Sequence, residues 1–252
     1  MDITSMSSWA AKAVQRGAVV FVPEWGRSDL GFLDFTPEQL RAMLVGQIGD
    51  AAAAVRYARA TAARYGGDPQ NLTLFGYGGG AMTAVVEAFS GASPSEGALE
   101  GAGSAIPDSL VIFDPDYLLA EPSAPWDELL AADSGVMELL TPWAYLGRHV
   151  DFPITVIGSG DPELVRELGD PWAEDSWLAV RDPSGGIRRG LEKLGALSGN
   201  LYTQVSIEQL FVDRLKADGN TVTHITLDHV AHSTVGPEGV ETVIETLVPG
   251  AE

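Results

Sequence analysis

The chain has 252 residues, enough to bury a full core and, by length alone, to make one or two domains. Thirty-five acidic against fifteen basic residues give a net charge of −20 and a pI near 4.4, a field that repels phosphate backbones and anionic headgroups and so speaks against nucleic-acid and membrane partners. With no cysteine, disulfides, thiolate metal sites and cysteine nucleophiles are excluded.

The N-terminal residues Met1 to Ser8 are polar, with no basic segment followed by an apolar run. No stretch approaches the ~20 apolar residues of a membrane span. A soluble, cytoplasmic protein is expected.

In chain order, the first strand candidate is the apolar run Ala18–Val22. A long helix follows, because Leu40, Leu44, Ile48, Ala51, Val55, Ala58 and Ala62 recur every three or four residues as one stripe. Thr36 and Pro37 make its cap and first turn, and Gly66-Gly67 ends it. The run Leu72–Phe75 leads into a helix over Gly79–Phe89 and a Gly-, Ala- and Ser-rich loop over Ser90–Ser104.

Strand runs at Leu110–Phe113, Ile154–Ile157 and Val222–Leu227 alternate with helices at Trp126–Leu140, Gln204–Ala217 and Pro237–Leu247. Near-continuous apolar runs fit strands covered on both faces. The expected fold class is therefore α/β, a mostly parallel sheet with helices on both faces, in a single domain spanning residues 1–252. Residues 169–203, with Trp172 and Trp177, are longer than a simple connection. They read either as a cap or lid over a pocket or as an extra helix laid on the surface.

The chemistry-bearing segment is Leu72-Thr-Leu-Phe-Gly76-Tyr77-Gly78-Gly79-Gly80-Ala81. In the pattern G-x-S-x-G a serine sits on a strained strand-to-helix turn that projects its oxygen above the sheet. Gly76 and Gly80 stand where the flanking glycines belong, and Gly78 occupies the serine's place. Without a side chain there is no attacking oxygen and no covalent acyl-enzyme at that point.

The run Asp50-Ala-Ala-Ala-Ala-Val-Arg-Tyr57, followed by Tyr65-Gly-Gly-Asp68-Pro69-Gln-Asn71-Leu-Thr-Leu-Phe75-Gly76, resembles the carboxylesterase and feruloyl-esterase-like branches of the α/β-hydrolase superfamily. Ala11 to Pro23 is similar to the preceding family unit, a short helix and a strand. The resemblance extends more loosely to the C-terminus. It implies an acid at Asp161, in Gly158-Ser-Gly160-Asp161-Pro162 after a strand, and a base at His232, in Asp228-His-Val-Ala-His232-Ser233. The backbone N–H of Gly79 would donate to an oxyanion.

Tyr77, Trp172 and Trp177 are candidates for an aromatic pocket, against an ordinary core role. His224 reads as a packed or surface histidine, and the histidine spacings favour no metal. No cofactor is implied.

Two departures bear on activity: Gly78 itself, and the absence of the His-Gly-Gly oxyanion loop that such esterases carry upstream. The chain is also expected to lack the fold's leading strands, an expectation that would leave a sheet edge for another cover, such as a second copy. The expected function is thus a protein of esterase ancestry without ordinary serine-esterase turnover, binding a small-molecule ester or related ligand. Gly78 then marks decay, a repurposed pocket or an engineered knockout of a Gly-Tyr-Ser-Gly-Gly parent. Two alternatives stand beside this: an enzyme using an Asp161–His232 general-base dyad without a covalent intermediate, and a scaffold or subunit.

Overall fold

The predicted apolar stripe does form one helix, and the computed structural model shows how it is stopped. The structure describes residues 3–23, 37–90, 104–115, 145–160, 165–167, 197–198, 201–228 and 237–250. Its helices are α1 (Ile3–Gln15), α2 (Pro37–Thr61), α3 (Gly79–Ser90), α4 (Gln204–Ala217) and α5 (Pro237–Leu247). Its strands are β1 (Thr73–Tyr77), β2 (Ser109–Phe113), β3 (Ile154–Gly160), β4 (Val165–Glu167), β5 (Leu197–Ser198), β6 (Leu201–Thr203) and β7 (Val222–Asp228).

Pro37 opens α2, where its fixed φ suits a first turn and its missing N–H costs nothing. A 3₁₀ turn over Ala62–Tyr65 follows, and Gly66 at φ 85° ends it. Only a residue without Cβ enters that left-handed region freely. The amide of Gly67 then donates to Ala62 O at 2.9 Å, satisfying a terminal carbonyl. Leu44, Ala51, Ala52, Val55 and Ala58 are buried along the stripe.

Four of the five predicted runs are strands of one parallel sheet, in the order β1-β2-β3-β7. The fold class is α/β. One side of the sheet carries Leu110, Ile112, Ile154 and Val156 against Val85 and Phe89 of α3 and Phe211 and Leu215 of α4. The other side carries Val111, Phe113, Ile157 and Leu227 against Val243 of α5 and Trp9 of α1. Lys12 of α1 and Arg16, just after its end, both pair with Glu241 of α5, the latter at 3.0 Å, which ties the two helices of that layer together.

Ala18–Val22 is a correction: it forms no strand. Gly17 at φ 89° ends α1, and the Ala18 amide donates back to Ala13 O at 3.1 Å. Val19 lies against Gly67, while Phe21 meets the rings of Tyr57 and Tyr65 edge-on, each at 5.9 Å. Packing on the end of α2 half-buries these residues without a ladder. An apolar run alone does not say which partner will bury it.

The antiparallel sheet β4-β6-β5 was not foreseen. Its strands are two or three residues each, too short to show a period. Most of the excursion over 169–203 and the predicted helix Trp126–Leu140 lie outside the described residues.

Candidate functional site

Everything distinctive about the carboxyl edge of the sheet begins at the turn from β1 to α3. Gly76, Gly78 and Gly80 allow the chain to reverse there with helix and strand almost in contact. A Cβ on Gly76 would lie 2.5 Å from Gly80 O and 2.6 Å from Ala81 Cα, so no side chain fits at that position unless the helix backbone moves. Gly78 occupies the bend itself, between the last strand residue and the first helical one, at φ 54°. Its amide donates to Phe113 O at 3.0 Å, and its carbonyl accepts from the Ala81 amide at 2.9 Å.

Gly79 is the first residue of α3, where the amides of the first turn have no intrahelical acceptor and the helix dipole favours negative charge. An added Cβ at Gly79 would meet nothing within 4 Å. The local geometry is thus a strand-to-helix bend with a glycine at its centre and the first amide of a helix directly after it.

The neighbouring strands end level with this bend. Tyr77 pairs with Phe113, and Phe113 with Ile157. The β3–β7 ladder runs on to Gly160↔Asp228. Asp161 is the next residue after β3, and His232 comes four residues after β7. Asp161, His232, Trp172 and Trp177 themselves lie outside the described residues. Among the described residues no cluster of three or more His, Cys, Asp or Glu could hold a metal, and no helix is long and apolar enough to cross a membrane.

Tyr77 is placed among aromatic neighbours. Its ring stacks on Phe113 at 5.0 Å and on Trp9 at 6.0 Å, in the layer under α1. Burial pushes its phenol above the usual value, and the Asp114 carboxylate adds to the rise.

Sequence reading passed over Asp114. It follows β2 directly, is fully buried, and has φ 45°, the only non-glycine positive φ among the described residues. Its amide donates to Ile157 O at 2.8 Å. A buried acid on a left-handed backbone, one residue past the acceptor of the Gly78 amide, is the kind of strained position that clusters at functional sites. The signal available was Phe113-Asp114-Pro115 immediately after an apolar run.

Two further buried acids were missed. Glu208 of α4, with a side chain 3% exposed, shares a 2.6 Å hydrogen bond with Nε2 of His224 on β7. His224 is accordingly a packed histidine. Glu87 of α3 is buried with neither carboxylate oxygen hydrogen-bonded, and Nη1 of buried Arg56 on α2 is likewise without a partner. Burial pushes the Glu87 carboxyl up to about 8, against the pull of the Arg56 guanidinium. Nothing in the local sequence separates these from surface acids, since each sits in a helix otherwise read by its apolar stripe.

A parallel sheet covered by helices on both faces, with a glycine bend at its carboxyl edge, defines a chain of the α/β class. Neither a protein-family model nor a curated protein matches the sequence. Among solved structures the chain is similar to a thermophilic esterase, esterase 2 of the Planctomycetes species Thermogutta terrifontis. The native form of that esterase matches with a TM-score of 0.51 and 17% identity, over 83% of this chain and 68% of that one. Its propionate-bound form matches with a TM-score of 0.50 and 17% identity, over 81% and 65%. The likeness is one of fold, and the chain spans about two thirds of the esterase's length.

Proposed function

We propose that this chain is an α/β-hydrolase-fold protein of carboxylesterase ancestry that lacks ordinary serine-esterase turnover and uses its carboxyl-edge site to bind a small-molecule ester or related ligand. The observation that carries this reading is Gly78. It sits at the strand-to-helix bend at φ 54°, where the hydrolase pattern would hang a nucleophilic hydroxyl. Glycine offers no atom to form an acyl-enzyme, so the covalent route is closed at its first step.

The amide of Gly79, the first residue of α3, is a donor at a helix N-terminus, suited to a carbonyl or carboxylate oxygen of a bound ligand. Ester ancestry is supported by the shared fold with the thermophilic esterase and by the glycine pattern around the bend.

Incubation with short p-nitrophenyl esters tests the proposal. No turnover above background is expected, and steady turnover abolished by His232→Ala would refute it. Gly78→Ser restores the missing oxygen. Gained hydrolysis in that variant would identify the bend, Asp161 and His232 as one site.

A further inference from the structure

We propose that the buried Glu208–His224 pair is a positioning element of the carboxyl-edge site, setting the ends of β3 and β7 from which the chain continues to Asp161 and His232. This rests on the reading of those two residues as the site's acid and base.

The pair is built into the sheet rather than laid upon it. Glu208 reaches down from α4, and its Oε1 meets Nε2 of His224 at 2.6 Å. The two side chains are 3% and 14% exposed. The carboxylate lies directly on the backbone of Gly158 in β3, where an added Cβ would collide with both of its oxygens. Gly158 therefore makes the seat for this carboxylate, and any larger residue would expel it.

A glycine in a central strand loosens it and removes a side chain from the core. An acid in a layer otherwise filled by Leu210, Phe211, Val212 and Leu215 carries a desolvation cost that an aliphatic residue would not. Both sacrifices fall at the same contact. What they yield is directional: one hydrogen bond and one steric seat fix α4 against two strands at once. An aliphatic side chain at position 208 would pack there without that directed bond.

The strands concerned are the two that matter. Gly158 is three residues before Asp161, and β3 and β7 pair residue by residue from Ile154↔Val222 to Gly160↔Asp228. A shift of the carboxylate is carried along this ladder to both strand ends.

Nuclear magnetic resonance of the labelled full chain tests the proposal, with the side-chain resonances of Asp161 and His232 as reporters. Glu208→Ala removes the carboxylate, and Gly158→Ala displaces it while keeping its charge. Each is expected to move both reporters by more than their line widths. Glu208→Gln keeps a hydrogen-bonding group on the ring and is expected to leave them in place. Reporters that stay put while the His224 resonance moves overturn the proposal, as does a response to Glu208→Gln equal to that of Glu208→Ala. Where the alanine variants do not fold, His224→Gln carries the same test with the same two outcomes. Ester hydrolysis by Gly78→Ser is read separately, so a failed esterase reading and a failed positioning role are told apart.

Discussion

The amide of Gly78 donates to the carbonyl of Phe113 at 3.0 Å, which pins the strand-to-helix bend to the neighbouring strand one residue before Asp114 turns left-handed. Two positive-φ residues thus stand side by side at the carboxyl edge. One has no side chain and the other has a fully buried carboxyl.

Gly78→Ala is expected to lower stability by about 1–2 kcal/mol, the usual cost of placing a Cβ in the left-handed region. Urea denaturation of the two proteins measures it. An unchanged midpoint would mean that the bend relaxes to negative φ when a side chain is present.

Gly76→Ala should cost more than Gly78→Ala. Its Cβ meets backbone atoms of Gly80 and Ala81 at 2.5–2.8 Å, and backbone does not rotate aside as a side chain does. Forced overpacking of this kind typically costs about 1–3 kcal/mol and at times more. The same denaturation series ranks the two variants.

Asp114→Asn removes the charge that adds to the elevation of the Tyr77 phenol, while burial, the larger cause, remains. Titration by phenolate absorbance should show the Tyr77 step moving down toward, without reaching, its ordinary position. Asparagine tolerates the left-handed backbone that Asp114 adopts, so the fold is expected to survive.

Glu87 makes stability depend on pH in an unusual direction. Its carboxyl is raised to about 8 in the folded chain, so the folded state keeps a proton that the unfolded state has released. Its contribution is fully present below the unfolded value near 4.5 and is lost as pH rises through 8. The slope is at most about 1.4 kcal/mol per pH unit. Denaturation midpoints at several pH values should fall across this window in the parent and run flatter in Glu87→Gln.

Glu241 acts with the opposite sign. The hydrogen bond from Lys12, with the nearby charges of Lys12 and Arg16, holds its carboxyl below the usual range. Its contribution is present above the unfolded value and fades as pH falls through the folded one. Carboxyl chemical shifts across an acid titration read the midpoint directly, and added salt should move it back toward normal, because the pair is exposed and screened.

Periodicity showed most of the frame. The stripe from Leu40 to Ala62 fixed α2, and Gly66 ended it at φ 85°. The bounds of α4 and α5 agree with the residues expected. Four strand runs are strands because helices cover both of their faces, which is what an unbroken apolar run records. Ala18–Val22 has a similar composition but is only half-buried, with Phe21 set against Tyr57 and Tyr65, a tertiary choice with no local trace.

The strand-to-helix bend was legible where geometry needs spacing, as at Gly76, Gly78 and Gly80. Side-chain meetings between elements were not. Glu208 and His224 are sixteen residues apart in the chain and on different elements. Asp114 hid in a turn because aspartate before proline is ordinary there.

The ion pairs from Lys12 and Arg16 to Glu241 join partners separated by 229 and 225 positions. The contact between α1 and α5 therefore forms only after residue 241 has been synthesised. Bringing such distant segments together costs loop entropy before any contact rewards it. Until then the side of α1 that carries Lys12 lacks its partner helix and is open to misassociation.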